Sequence, residues 1–282
     1  MKTETMRALA ADFPARLRLE RHTPAELFVK GSRAVLSSRS IAIVGSREAT
    51  PEALWFAECL GRAAGRAGLV VVSGAARGID TAVHGGTVAV GGRAIAVLGR
   101  PFDAPVPERT RALLQDVLDK SGAVVSERAL ASGFHRVHYI QRNRIIAGLA
   151  EVTLVVSAKQ RSGALSTAAW ARAFKRELWA VPGSPWEVRA AGSNQLLATG
   201  ARPIATLQAF EAAIEGYFGV DASASQTPEG QLLTRLAQGP CSQDELAEEL
   251  RQNPASLASE LITHQLEGRI VRTQDGKYAL RI

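Results

Sequence analysis

Between residues 38 and 218 the chain alternates short apolar runs with longer stretches of helical periodicity. The apolar runs are rich in Val, Ile and Leu without in–out alternation, which is typical of strands buried on both faces of a sheet. Strands that alternate with helices predict βαβ units, and therefore a Rossmann-like, doubly wound, mostly parallel α/β sheet. The six strand candidates are Ile41–Val44, Leu69–Val72, Ala94–Leu98, Ala123–Val125, Val152–Val156 and Leu178–Val181.

Helix signals fall between these runs. Thr50 can cap a helix that begins at Pro51 and ends before Gly68, because a hydroxyl at the N-cap and Pro in the first turn both favour helix initiation. Further helices are predicted at Glu108–Asp119 and Asn143–Leu149. Residues 1–37, ahead of the first strand, are interpreted as an arm or lead-in segment without a core of its own.

The pattern changes after residue 218. Residues 219–229 are small, polar and Pro-containing, which predicts a linker. Residues 230–282 predict a small C-terminal winged-helix domain of three helices and a hairpin. Its signals are Leu232, Leu233 and Leu236 in a first helix, a Ser242/Glu245 capping box, a helix Pro254–Glu267 with Leu257, Leu261, Ile262 and Leu266 on one face, and Asp275-Gly276 between strands Arg269–Thr273 and Lys277–Arg281.

Composition narrows the function classes. No apolar run approaches the length of a membrane span, and the first residues lack the apolar core of a signal peptide. Cys59 and Cys241 stand too far apart to indicate a disulfide framework or a zinc cluster, so we expect a cytoplasmic protein with no metal and no cofactor. The formal net charge is +7, and the whole excess lies before residue 230. A site for a polyanion is therefore expected in the first domain.

Two loops after predicted strands carry groups suited to phosphate. Gly45, Ser46 and Arg47 follow the first strand, and Ser73, Gly74, Arg77 and Gly78 follow the second. In a parallel sheet these loops lie at the carboxyl edge, where ligands bind. The second loop, running into a helix, predicts an anion nest, and Asp80 is interpreted as a helix cap rather than a catalytic acid. Each loop alone is also compatible with an ordinary strand–helix turn, and the spacing is not that of dinucleotide enzymes.

A denser segment runs from residue 134 to 144, with three arginines, two histidines and two aromatics. Bases stack on aromatic rings while arginines neutralise the phosphates between them, which favours binding of a single strand. The candidate ligands here are Arg136, Tyr139, Arg142 and Asn143, and one of the arginines is expected to be a structural ion-pair partner. A last loop, after the fifth strand, adds Ser162, Gly163 and Thr167. We find no catalytic triad, paired carboxylates or Walker lysine.

Several stretches, in this order, resemble the DNA-processing protein A (DprA/Smf) family. They are Ile41–Arg47, Ser73–Asp80 with His84, Arg142–Leu149, Ser162-Gly163 with Thr167, Val181-Pro182-Gly183 and Gly192–Ala201. The resemblance implies a homodimer that binds single-stranded DNA and hands it to the RecA recombinase in natural transformation, with the single-stranded DNA-binding protein as a further candidate partner. It also implies that Arg47 and Arg136 contact the strand. Ser157 departs from the family, which has glutamate there.

Three hypotheses follow. The first is a non-enzymatic recombination mediator that binds single strands. The second is an enzyme of the nucleotide phosphoribohydrolase type, although its Pro-Gly-Gly-x-Gly-Thr loop and nearby glutamate are replaced here by Ser-Gly-Ala-Leu-Ser-Thr and Ser157. The third is a regulatory or interaction module acting through the winged helix. Its presumed recognition helix, Pro254–Glu267, contains no Lys or Arg, which is unusual for a major-groove reader.

Overall fold

The computed structural model describes residues 3–19, 22–129, 135, 137–220, 232–233, 235–236, 239–266, 269–273 and 275–280. The chain divides into two compact units, Met1–Ala222 and Ser223–Ile282. The first unit is built on one nine-stranded sheet. Its strands are β1 (Glu4–Arg7), β2 (Glu26–Gly31), β3 (Ser40–Val44), β4 (Val70–Ser73), β5 (Ala94–Leu98), β6 (Ala123–Ser126), β7 (Val152–Val155), β8 (Glu177–Ala180) and β9 (Arg202–Pro203).

The helices of this unit lie between successive strands, except the last, which follows β9. They are α1 (Pro51–Arg66), α2 (Ile79–Ala89), α3 (Glu108–Asp119), α4 (Val137–Gln141), α5 (Asn143–Leu149), α6 (Gly163–Ala173), α7 (Ala191–Ala198) and α8 (Leu207–Phe218). Thr50 caps α1 as predicted, since its hydroxyl accepts a hydrogen bond from the Ala53 N–H at 3.3 Å. The six predicted strands are confirmed, with bounds that match or differ by one residue at one or both ends.

Strand order defines where a ligand can sit. The sheet runs β1-β2-β6-β5-β4-β3-β7-β8-β9. Strands β3 to β9 pair in parallel with their neighbours, whereas β2 pairs antiparallel with β6 and β1 antiparallel with β2. The chain winds from β3 outward to β6 and then returns to the other side of β3 to form β7. This confirms the doubly wound, mostly parallel fold and places its switch point between β3 and β7.

The N-terminal segment contributes β1 and β2 to the sheet, which the sequence analysis did not predict. In β2 the buried residues Leu27 and Val29 alternate with more exposed ones, the pattern of a strand with one covered face. Phe13 and Leu17 from the same segment are also buried in the main core. The segment therefore packs into the core that the later strands also form.

Alternate residues of each central strand enter two cores on opposite faces of the sheet. In β3, Ile41 and Ile43 pack with α1, α2 and α8, whereas Ala42 and Val44 pack with α5, α6 and the N-terminal segment. Burial on both faces explains why these strands read as unbroken apolar runs. Among the described helices, none has both the length and the apolar character needed to cross a membrane.

The second unit contains α9 (Gln243–Leu250), α10 (Pro254–Leu266) and a hairpin of β10 (Ile270–Arg272) and β11 (Tyr278–Leu280). The predicted Ser242/Glu245 capping box is present at the start of α9. One prediction is wrong: Leu257 and Leu261 of α10 are buried, but Ile262 is exposed and Leu266 is 84% exposed. At 3.6 residues per turn, the last two lie on the side of the helix opposite the buried stripe. Gln274 and most of the predicted linker lie outside the described residues.

Candidate nucleic-acid interface

A cavity of about 630 Å³ lies at the carboxyl ends of β3, β4 and β7, at the switch point of the sheet. We call it the switch-point cavity. Its size falls within the range of small-ligand sites. Nine of the residues predicted from sequence line it: Gly45, Ser46, Arg47, Tyr139, Arg142, Asn143, Ser162, Gly163 and Thr167. Groups from three separate stretches of sequence therefore converge on one space.

The loop after β3 presents an exposed arginine. The hydroxyl of the buried Ser46 accepts a hydrogen bond from the Glu48 N–H at 3.0 Å, which fixes the turn. The next side chain, Arg47, is exposed, and its guanidinium carbon lies 5.2 Å from the centre of the Tyr139 ring. This cation–π contact brings a positive charge and an aromatic face together at the cavity.

The loop after β4 packs against the loop after β3, which carries Ser46 and Arg47. The buried Ser73 hydroxyl donates to the carbonyl of Ile43 at 2.7 Å. Gly78 has φ +96°, and a Cβ on it would lie 2.3 Å from the carbonyl oxygen of Ser46. That carbonyl accepts from the Ile79 N–H at 3.2 Å, so the two loops are in direct contact. Only glycine fits this junction.

The predicted anion nest is already occupied by an acidic side chain of the protein itself. The Ala76 N–H donates to the Asp80 carboxylate at 3.4 Å, and Asp80 lines the cavity. Because α2 begins at Ile79, the carboxylate belongs to the first helical turn, and Gly78 occupies the N-cap position expected for Asp80. Burial raises the pKa of Asp80. Ser73, Gly74, Arg77 and Gly78 do not line the cavity, and Arg77 is exposed.

Arg142 is turned into the protein rather than outward. It is 5% exposed, and its guanidinium donates to the carbonyls of Gly74 (2.8 Å) and Val97 and to the Asn143 side-chain oxygen (3.1 Å). A Cβ on Gly74 would lie 2.2 Å from that guanidinium, so glycine is needed for its close approach. Burial lowers the pKa of Arg142 to about 10, which leaves it charged at neutral pH. Although predicted as a strand contact, this side chain positions the loops that form the cavity.

Residues of α4 and α5 form the opposite wall. The Asn143 amide donates to the carbonyl of Gly163 at 3.1 Å and so joins α5 to the loop after β7. Arg144 pairs with Glu127 at 2.9 Å, which identifies it as the structural ion-pair partner expected among these arginines. Arg136 lies outside the described residues. Within the described ranges, no group of three or more His, Cys, Asp or Glu side chains could hold a metal ion.

The segment after β7 adds the predicted Ser162 and Thr167 and also Lys159, and the loop after β3 adds Glu48; the sequence analysis assigned neither of these two charges to the site. Ser162 lies at the N-cap of α6, and its hydroxyl oxygen is buried and makes no hydrogen bond. Lys159 pairs with Glu48 at 2.5 Å, and both line the cavity. The hydrogen bond from Lys159 lowers the pKa of Glu48, and the charges of Arg77 and Arg189 lower it further. Only the adjacency of β3 and β7 brings this pair together, so no local sequence signal could reveal it.

Ser157, where the resembled family has glutamate, has a structural contact. It is buried, and its hydroxyl donates to the carbonyl of Arg189 at 3.1 Å. The contact joins the end of β7 to the segment after β8. A second hydrogen bond links the same two regions, since the Gly192 N–H at the start of α7 donates to the Ala158 carbonyl at 2.7 Å. Serine at this position therefore holds two neighbouring loops of the carboxyl edge together.

These features define a Rossmann-like α/β protein with a basic, hydroxyl-lined ligand cavity at its switch point. The family model for DNA recombination-mediator protein A matches residues 4–215, and a model of the DprA winged-helix domain matches residues 220–276. The chain belongs to the DNA recombination-mediator protein A (DprA/Smf) family. Its role is accordingly one in DNA processing, as a recombination mediator.

Individual relatives agree with this assignment. Protein Smf of Escherichia coli K12 is 31% identical over a match that covers 95% of this chain and 75% of its own length. DNA processing protein DprA of Bacillus subtilis is 38% identical over a match that covers 64% of this chain and 61% of its own length. The X-ray structure of DprA from Streptococcus pneumoniae has a TM-score of 0.69 at 34% identity, covering 75% of this chain and 74% of that one. A structure of DNA processing protein A from Helicobacter pylori shares the fold, with a TM-score of 0.68 at 24% identity, covering 77% of this chain and 98% of that one.

Proposed function

We propose that this protein binds single-stranded DNA in the switch-point cavity, protects the strand and loads the RecA recombinase onto it during natural transformation in the cytoplasm. The observation that carries this proposal is the convergence of Arg47, Tyr139 and the Ser162 hydroxyl on that one cavity. A guanidinium suits a phosphate, and an aromatic ring stacks on the face of any base without reading its edges. Binding of this kind tolerates any sequence.

Electrostatics favour a polyanion. Arg47 and Lys159 line the cavity, and Arg77 and Arg189 lie near enough to Glu48 to lower its pKa. Glu48 therefore lies near three cations, Lys159, Arg77 and Arg189, and Asp80, the other carboxylate of the cavity, lies near Arg47 and Arg142. The buried Ser162 hydroxyl without a partner provides a polar group for a phosphate oxygen. Arg136, which the family resemblance assigns to the strand, remains part of the proposal.

The geometry also favours a binding role over catalysis. The two carboxylates that line the cavity are both engaged, Glu48 by Lys159 and Asp80 by the Ala76 N–H. A phosphoribohydrolase needs a carboxylate directed at its substrate, and neither of these two is available in that way. RecA loading, contact with the single-stranded DNA-binding protein and homodimer formation are inferred from family membership. The name of the Helicobacter pylori structure describes a single-stranded DNA binding mode for that relative.

The test is a salt titration of binding to labelled oligothymidylate and to duplex DNA of equal length. We expect the single strand to bind more tightly and its affinity to fall steeply with salt. Arg47→Ala should weaken binding about tenfold or more, because a charge-assisted hydrogen bond is lost. It should also reduce the slope of log affinity against log salt concentration by about 0.7. Arg93→Ala is the matched control, because Arg93 is exposed at the opposite end of the sheet, ahead of β5.

A preference for duplex, or an affinity indifferent to salt, would refute single-strand binding. Equal effects of Arg47→Ala and Arg93→Ala would remove the switch-point cavity from the proposal. The mediator role is tested separately, by measuring RecA filament formation on strands precoated with single-stranded DNA-binding protein. We expect the wild-type protein to speed filament formation and Arg47→Ala to do so poorly.

A further inference from the structure

A second cavity, of about 510 Å³, lies at the opposite end of the sheet. We call it the amino-edge cavity, because its residues precede β3, β7 and β8 or pack against those strand starts. It is formed mainly by Arg16, Arg39, Glu151, Lys175, Arg176 and Tyr217. The switch-point cavity lies beyond the carboxyl ends of β3 and β7, so the two cavities are separated by the length of the strands.

The amino-edge cavity holds an excess of positive charge. Glu151 is its one carboxylate, and it is already engaged by Arg16 at 2.5 Å and by the Ser40 N–H at 3.3 Å. Among the described residues, Arg39, Lys175 and Arg176 form no ion pair. A packing role explains the Arg16–Glu151 pair, which attaches the N-terminal segment to the sheet. It does not explain three further cations around the same space.

The two arginines among these cations are held in place by backbone carbonyls. The Arg39 guanidinium donates to the carbonyl of Phe218 and lies 5.1 Å from the centre of that ring. Arg176 donates from one terminal nitrogen to the Arg16 carbonyl at 3.2 Å, while its Nε is buried and makes no hydrogen bond. Burial, and next the charge of Arg16, lower the pKa of Arg176. Fixed guanidinium groups with unused N–H donors are suited to phosphate oxygens.

An aromatic residue completes the cavity. Tyr217 is 42% exposed, and burial of its hydroxyl, together with Glu151 and Glu177, raises its pKa. The hydroxyl therefore stays protonated at neutral pH and can donate a hydrogen bond. A ring beside a group of cations is the combination that binds a phosphate together with its attached base.

We propose that the amino-edge cavity is a second phosphate-binding site, in which Arg39, Lys175 and Arg176 hold a phosphate group and Tyr217 lies beside it. The phosphate belongs either to a DNA strand or to a free nucleotide, since both present the same chemistry. The inference stands apart from the proposed function, because it uses other residues at the other edge of the sheet.

The test measures binding in an Arg47→Ala background, so that the switch-point cavity contributes little. Inorganic phosphate, thymidine monophosphate and oligothymidylate are titrated calorimetrically into this variant and into Arg47→Ala/Lys175→Gln/Arg176→Gln. We expect the added substitutions to raise the dissociation constant for phosphate about tenfold. Lys120→Gln, in the same background, is the matched control, because Lys120 is an exposed lysine at the turn from α3 to β6 on the same edge.

The nucleic-acid arm identifies the source of the phosphate. A matching loss for oligothymidylate means that the site holds a DNA strand, and a loss confined to phosphate and the mononucleotide means that it holds a free nucleotide. Unchanged affinity for all three probes overturns the inference while leaving the switch-point proposal intact. Lys175→Gln alone, in the same background, is a further variant that should fold normally, because Lys175 is exposed. It should raise the dissociation constant in the same direction by a smaller factor.

Discussion

Replacing Gly78 by alanine should damage both stability and DNA binding without removing a charged or polar side chain. Gly78 has φ +96° and ψ −134°, a region essentially confined to glycine, where another residue is strained by about 1–3 kcal/mol. The new methyl group would also lie 2.3 Å from the Ser46 carbonyl oxygen and 2.8 Å from the Arg47 Cα. We therefore expect Gly78→Ala to lower the free energy of unfolding by about 2–4 kcal/mol in total.

The clash falls on the loop that carries Arg47, so the same variant should bind oligothymidylate about tenfold more weakly, as if one charge-assisted contact were lost. Stability is measured by urea unfolding, and affinity by fluorescence anisotropy at fixed salt. The matched control is Gly85→Ala in the middle of α2, where a Cβ meets nothing within 4 Å. That variant should gain about 0.5–1 kcal/mol. If Gly78→Ala behaved like Gly85→Ala in both assays, our account of the junction would be refuted.

Three further substitutions test other parts of the molecule. Arg142→Met should lower the free energy of unfolding by about 3 kcal/mol, since it leaves buried carbonyls without donors. A loss of stability smaller than that caused by Arg47→Ala would contradict the positioning role of Arg142. Burial lowers the pKa of His84 to about 4 in the folded protein, against 6.5 for the free side chain, so stability should fall as pH drops from about 6.5 towards 4. In urea unfolding, His84→Leu should abolish up to roughly 3 kcal/mol of this pH-dependent loss of stability. The same dependence of stability on pH in the variant and the wild type would contradict this. Trp186 follows β8 and is 90% exposed, so we expect it to stack on a base. Trp186→Ala should then weaken oligothymidylate binding by about 1–3 kcal/mol with an unchanged melting temperature. Equal affinity of the variant and the wild type would exclude Trp186 from the interface.

Local patterns were sufficient for the central sheet and its helix starts. The strand Ala94–Leu98 and the helices Glu108–Asp119 and Asn143–Leu149 were predicted with the observed bounds, because unbroken apolar runs and helical periodicity persist over several residues. The strand β2 was missed, although the buried Leu27 and Val29 alternate with half-buried neighbours. Two buried positions in a short strand are a weak signal, and one partner strand, β6, lies far along the chain.

What the sequence by itself determined was the inventory of the site: which loops follow strands, and which of them carry glycines, hydroxyls and arginines. The tertiary structure decided what each group does there. Arg47 and Arg142 are the same residue type, yet one is exposed beside Tyr139 and the other is buried against backbone carbonyls. Likewise, Glu48 and Lys159 meet only because β3 and β7 are neighbours in the sheet. Burial and charge pairing depend on strand order, a long-range property that no local pattern of residues encodes.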